Sequence, residues 1–250
     1  GLQVDNPKPQ ITLHLLVRFG LRELPALLAQ LQGKLWHPAV NASEELHDGN
    51  DLNMDIMTNN DIYDMAMAIF RYQGIRMTGF ETVALNLHMP VNVLCEKFSN
   101  SKEALVLSTI RFEMDREYKY VRELAWKTHS PLKFITRLYV HAIRFFHSFH
   151  SSFFKDLKHY QIAVKEFDCY IAHLRGKFNE ALQICISQGL CMKECDSFLF
   201  SSFLCMRMRD IREGIICQKD RIKGISNFVV NTLLMGCCTD KGRLELMKKH

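Results

Sequence analysis

The chain has 250 residues, 48% of them hydrophobic, and 24% charged, enough apolar material for one large core or two small ones and too little charge for disorder along its whole length. Twelve glycines and six prolines suit long helices better than a turn-rich β fold. The net charge of +5 is unevenly spread: residues 1–100 hold 7 Lys/Arg against 11 Asp/Glu, and the remaining 150 hold 25 against 16. That excess is too mild and too scattered to form the concentrated basic stripe of a strongly electrostatic nucleic-acid binder.

In chain order, residues 1–10 form a polar entry with Pro7 and Pro9, and residues 11–32 carry two short helical patterns separated by Gly20. Between Asn41 and Asp64 lie seven acids and no Lys or Arg, so residues 34–60 are expected to be an acidic loop or linker. From Ile62 the rhythm is helical, with Met65, Ala66, Ile69 and Phe70 at three-and-four spacing. Gly74 and Gly79 punctuate, a short helix runs through Val83 and Leu87, and Pro90 starts another with Val91, Leu94 and Phe98 on one face. Ser101 is an N-cap for a helix to about Lys127, and Ser130 followed by Pro131 is a second start signal. Further helices are expected over 156–174, 178–188, 196–209, 211–219, 221–235 and 241–249. No run alternates with period two, so no sheet is predicted. The expected fold is all-α, built as stacked antiparallel helical hairpins or as an irregular helical bundle.

No stretch reaches the roughly 18 uninterrupted apolar residues of a membrane span. The nine cysteines are odd in number and irregularly spaced, mostly within apolar helical stretches, which points to free thiols in a reducing compartment, cytoplasmic or nuclear. The sequence opens on Gly1 and is expected to be a segment of a longer protein.

Two segments resemble known repeats. Ile11 to Gly33 has Leu13-His14, Gly20 six residues on, and Leu24, Leu27 and Leu28 beyond it, and resembles an ankyrin-repeat hairpin of the type found in the B-cell phosphoinositide 3-kinase adaptor family. Thr12, Leu21 and Pro25 depart from the family's pattern. Tyr170 to Gly189, with Gly176, Phe178 and Ala181, resembles the centre of a tetratricopeptide repeat, and Phe203 to Ile222 aligns with it at an offset of 33. These resemblances imply a hairpin at residues 1–33, a linker at 34–60, and a helical domain with tetratricopeptide-like hairpins at 61–250. They imply an adaptor or scaffold that binds a peptide or protein, acidic or phosphorylated, in a helical groove.

Candidate binding residues for that groove are Arg137, Arg144, Phe149, Phe153, Lys155, Lys158, Lys165, Arg207 and Arg209. The alternative is nucleic-acid binding or RNA processing by the basic second part, where Arg144 and His150 resemble the short Arg-x4-6-His pattern of HEPN-type ribonucleases.

Other patterns carry less. Leu24 to Leu28 matches an LxxLL box that any amphipathic helix produces. Asp51 to Asp55 starts like a calcium loop, but Ile56 and Ile62 occupy the positions that need glycine and a bidentate acid. His147 and His150 lack a robust zinc spacing with Cys191 and Cys195. No P-loop, dinucleotide fingerprint, HExxH or nucleophile elbow is present, so no cofactor and no catalytic residue is assigned.

Overall fold

The structure is a computed structural model that describes residues 58–214 and 222–248, all within one compact unit. The ankyrin-like segment 11–33 and nearly all of the acidic segment 34–60 lie outside these residues, as does most of 211–219.

The described residues form ten helices: α1 (Asn59–Gln73), α2 (Phe80–Leu87), α3 (Val91–Lys97), α4 (Lys102–Lys127), α5 (Pro131–His147), α6 (Phe153–Leu157), α7 (Gln161–Ser187), α8 (Ser197–Arg212), α9 (Ile222–Cys237) and α10 (Asp240–Met247). Among the described residues there is no strand; the one extended pairing is an isolated bridge between Cys191 and Cys238. The fold is all-α, as the hydrophobic rhythm predicts.

Local chemistry sets the helix ends. Thr58 caps α1 in a reciprocal box, its hydroxyl accepting from the Asp61 N–H while the Asp61 carboxylate accepts from the Thr58 N–H (2.8 Å). Ser101 caps α4 by accepting from the Ala104 N–H (3.2 Å). Pro131 opens α5 at a position where a missing N–H costs nothing.

The bundle is centred on α7, which packs against α4, α5, α6 and α8, while α9 packs on α5. Phe145, Phe146, Phe149, Phe153, Phe154, Phe167 and Tyr170 meet ring to ring at the centre with centroids 4.3–6.4 Å apart. Each buries a large apolar area, and edge-to-face pairs such as Phe145–Phe149 add a specific geometry to it.

This arrangement corrects the tetratricopeptide reading. Residues 161–187 are one continuous helix, where the sequence suggests two, and Gly176 lies inside it with open space at its Cβ position rather than at a turn. Phe178 and Ala181 are buried, as in the repeat, because the same face of α7 meets the bundle. Leu174, Phe178, Ala181, Leu182 and Cys185 recur at helical spacing for that reason alone.

Candidate nucleic-acid interface

Helices α1 to α3 form a small head whose buried residues are continuous with the core of the bundle. Ile62, Ala66 and Phe70 from α1, Ile75 from the following turn, Val83, Ala84 and Leu87 from α2, Leu94 from α3 and Phe98 just after it are all buried. α2 ends at His88, which takes the left-handed conformation (φ 53°), and its N–H and that of Met89 bond back to α2 carbonyls. Pro90 then caps α3. Two short helices joined by the three residues 88–90 make a helix–turn–helix, the arrangement that presents a second helix to the DNA major groove.

The buried side of α3 is Leu94; its outer side offers Val91, Asn92, Glu96 and Lys97 to solvent. Asn92 carries the donor and acceptor pair that matches an adenine edge, and Lys97 is a cation suited to phosphate. The head is not basic overall: Arg71, Arg76 and Lys97 are set against Asp61, Asp64, Glu81 and Glu96.

The head joins the bundle through α1, which packs on α4 with Tyr63 and Phe112 ring to ring (5.3 Å), and polar contacts add to that packing. Arg71 pairs with the buried Glu113 of α4 (2.5 Å), and its guanidinium lies over the rings of Phe149 (5.0 Å) and Phe145 (5.6 Å). Arg116 of α4 pairs with Asp64. Asp156 of α6 accepts from the Arg76 backbone N–H (2.8 Å), and the Lys102 ammonium donates to the Arg76 carbonyl (3.1 Å). Burial lowers the pKa of Lys102, against the opposing pull of Asp156 and Glu81. Gly74 sits in this joint at φ +85°, and a Cβ there would come within 2.2 Å of the Ser152 hydroxyl and 2.8 Å of an Asp156 carboxylate oxygen.

Inside the bundle, Glu117 accepts from Tyr170 O–H and His141 Nε2–H, each at 2.7 Å. Burial, and next the Glu117 charge, raise the Tyr170 phenol far above its ordinary pKa, so it is a permanent donor. Between α5, α8 and α9 a cleft of about 310 Å³ is lined by Tyr139, Phe203, Leu204, Met206, Val229 and Leu233, with Arg207 and Asp210 at its polar side. Burial raises the Tyr139 pKa as well.

The residues singled out from the sequence scatter over four helices and their ends. Phe149 and Phe153 are 3% and 0% exposed, inside the aromatic centre, and offer no face to a partner. Arg137, Arg144, Lys155, Lys165 and Arg209 are exposed on α5, α6, α7 and α8; Lys158, at the end of α6, pairs with Glu213 (3.1 Å). Only Arg207 lines the cleft. His150 bonds locally through Nδ1 to Ser152 Oγ (2.9 Å). Among the described residues no three His, Cys, Asp or Glu side chains are placed to hold a metal ion, and no helix is long and apolar enough to cross a membrane.

The sequence reading missed Asn92, Lys97 and the turn at His88. The available signal was two short apolar patterns, Val83-Ala84-Leu87 and Leu94-Phe98, separated only by a proline-bearing turn.

No family model matches the sequence, and no curated protein matches it. Solved structures do share its fold. The ketosteroid transcriptional regulator KstR2 of Mycobacterium tuberculosis is 16% identical, with 74% of this chain and 98% of that one covered at a TM-score of 0.52. AibR, solved in complex with isovaleryl coenzyme A and operator DNA, is 18% identical, with 70% and 97% covered at 0.51. The TetR family transcriptional regulator PfmR of Thermus thermophilus is 17% identical, with 70% and 97% covered at 0.51. At such identities the likeness is one of fold. It is a likeness to TetR-type helical bundles and not to ankyrin or tetratricopeptide arrays, which corrects both resemblances. The adaptor or scaffold reading, which rested on stacked hairpins and the groove between them, is corrected with them.

Proposed function

We propose that this chain is a DNA-binding regulator in which α3 reads the major groove and the α4–α9 bundle controls how the head is presented. One observation carries the reading: a helix–turn–helix whose second helix is held by Leu94 and Phe98 while Asn92 and Lys97 stand free on its outer side. The likeness in fold to AibR, a structure named for its operator DNA, supports it. Nucleic acid therefore replaces a peptide as the expected partner, and its seat is the weakly acidic head rather than the basic second part.

One helix–turn–helix covers half a site, and paired copies read two half-sites about one helical turn apart. Phe198, Leu199, Phe203 and Met206 on α8 and Phe228 on α9 are between 52% and 71% exposed, an apolar face suited to self-pairing between two copies.

A second element, response to a small molecule, draws on the apolar cleft between α5, α8 and α9 and on the isovaleryl coenzyme A named with AibR. An acyl-coenzyme A that raised the melting temperature of the protein while weakening its hold on DNA would support it.

The test of the main reading is selection from a random duplex pool at low salt, followed by titration of the winners. A short palindromic consensus bound with nanomolar affinity is expected. With few cations on the head, log affinity should fall with log salt more gently than for a basic binder. No enrichment, and no binding to any duplex at about 50 mM salt, removes the proposal.

A further inference from the structure

Two turns of the bundle about fifty residues apart in sequence are laced together. The Met192 N–H donates to the Cys237 carbonyl (2.9 Å) and the Thr239 N–H to the Leu190 carbonyl (3.0 Å), with Cys191 and Cys238 facing each other between these bonds. The Thr239 hydroxyl donates to the Gly189 carbonyl (2.7 Å) and the Lys241 ammonium to the Gln188 carbonyl (2.9 Å). Gly242 approaches so closely that a Cβ would lie 1.9 Å from the Leu190 carbonyl oxygen. These contacts clasp the segment after α9 to the segment after α7.

Five thiols collect in the clasp. The Cys191 thiol is within hydrogen-bonding reach of Cys185 and Cys238, and the Cys195 thiol within reach of Cys237. Cys185, Cys191 and Cys238 are buried; Cys195 and Cys237 are half-buried. The flanking backbone bonds make Cys191 and Cys238 a non-hydrogen-bonded antiparallel pair, a pairing whose Cα atoms ordinarily stand about 4.5 Å apart. The Cys195 N–H donates to the Met192 carbonyl (3.2 Å) while the Met192 N–H holds the Cys237 carbonyl, so this turn brings Cys195 back beside Cys237.

We propose that the clasp is an oxidisable dithiol site, in which Cys195 and Cys237 form a disulfide at the expense of a low-molecular-weight disulfide. The Cys195 thiol loses its proton to solvent, and the thiolate attacks the small disulfide, forming a mixed disulfide and releasing one small thiol. The Cys237 thiol then gives up its proton, attacks the Cys195 sulfur and releases the second. Two protein thiols are oxidised by two electrons, and one small disulfide is reduced to two thiols. Cys195 stands just before α8 and Cys237 closes α9, so the bond joins the start of one helix to the end of the other. These helices form two walls of the apolar cleft, and the oxidised form holds them at one separation.

Burial, and next the neighbouring Cys237, push the Cys195 thiol up to about 12. The attacking thiolate is therefore scarce at neutral pH, which makes this a slow staple and not a fast peroxide sensor.

The experiment treats the reduced full chain with excess oxidised glutathione, then blocks free thiols by alkylation and maps linked peptides by mass spectrometry. The expected result is loss of two alkylatable thiols per chain and a peptide joining Cys195 to Cys237. Oxidation should quicken about tenfold per pH unit from 7 to 9. The melting temperature should rise by roughly 5–10 °C on oxidation. Cys195→Ser and Cys237→Ser should each abolish the linkage, while Cys169→Ser, at an exposed position on α7, should leave it intact. Because the wild-type peptide map needs no variant to fold, it decides the matter alone. All thiols remaining free at pH 9, or linkages confined to other cysteines, overturn the proposal.

Discussion

The head and the bundle are built from different materials. The bundle is held by seven aromatic rings in mutual contact around α7, with Phe153 and Phe167 wholly buried. The head contributes fewer rings to the core, chiefly Phe70 and Phe98 among aliphatic side chains such as Ile75 and Leu94, and it spends one side of α3 on solvent. Across their shared apolar contact, where α1 packs on α4, runs a set of polar ties: Arg71 to Glu113, Arg116 to Asp64, and Asp156 to the Arg76 backbone. The difference teaches where each property resides. Apolar burial scales with area and is indifferent to direction, so it accumulates in the bundle. Hydrogen bonds and ion pairs are directional, so they set the angle at which the head is offered.

The sharpest way to break this division is to empty the aromatic centre. Phe167 touches Phe145, Phe146, Phe149, Phe153 and Phe154. Phe167→Ala should cost about 3–5 kcal/mol in urea unfolding, a large share of a stability usually of about 5–15 kcal/mol. If the bundle supports the head, DNA binding is lost together with the fold, in one transition. A head that kept its helicity and bound DNA after the bundle had melted would show the two to be independent.

The next largest effect is expected at the joint. Gly74→Ala forces a side chain into the left-handed region and against Ser152 and Asp156. It should cost about 1–3 kcal/mol, because the Asp156 carboxylate must leave the Arg76 N–H to make room. Hydrogen exchange should quicken at Arg76 and in α2–α3 while α7 stays protected. Equal loosening of both regions would show that the joint is only part of one continuous core.

The two regions also differed in how legible they were. The bundle announced itself through Leu132, Ile135, Leu138, Tyr139, Ala142 and Phe145, a wide apolar stripe on one helix, and through the Ser101 and Ser130-Pro131 start signals. All of these lie where the rhythm placed them. What misled was Gly176. A glycine in a helical pattern reads equally well as a turn between paired helices or as a helix interior, and only the packing of α7 on both sides of it decides. The head was visible as three helices, but nothing in its composition marked it for the DNA-reading role proposed above. The usual electrostatic footprint is a basic stripe, and here Glu81 and Glu96 offset Arg76 and Lys97. The basic excess lies instead in residues 101–250, where Arg207 lines a cleft and Lys158 answers Glu213. On the reading proposed above, net charge points to the other half, because recognition by a helix depends on which few side chains it presents, and not on the sum.

The smallest effect on stability is expected on α3, and its smallness is the point. Asn92 and Lys97 are exposed, and no side-chain hydrogen bond of either is seen among the described residues. Asn92→Ala and Lys97→Ala should each shift unfolding free energy by no more than about 0.5 kcal/mol. Their effects on DNA should differ in kind. Lys97→Ala removes a phosphate contact, so it should weaken binding uniformly across sequences and lower the salt slope by about one. Asn92→Ala removes a base-edge donor and acceptor, so it should cost about 1–3 kcal/mol at one position of the site and relax the preference there while leaving the salt slope alone. If both variants bound every duplex as the parent does, α3 would be a structural helix of the head, and the free side it shows to solvent would have no bearing on DNA. If instead both weakened binding without separating base preference from salt dependence, the helix would lie along the backbone and not in the groove, because only a helix within reach of base edges lets one side chain sense sequence and its neighbour sense charge.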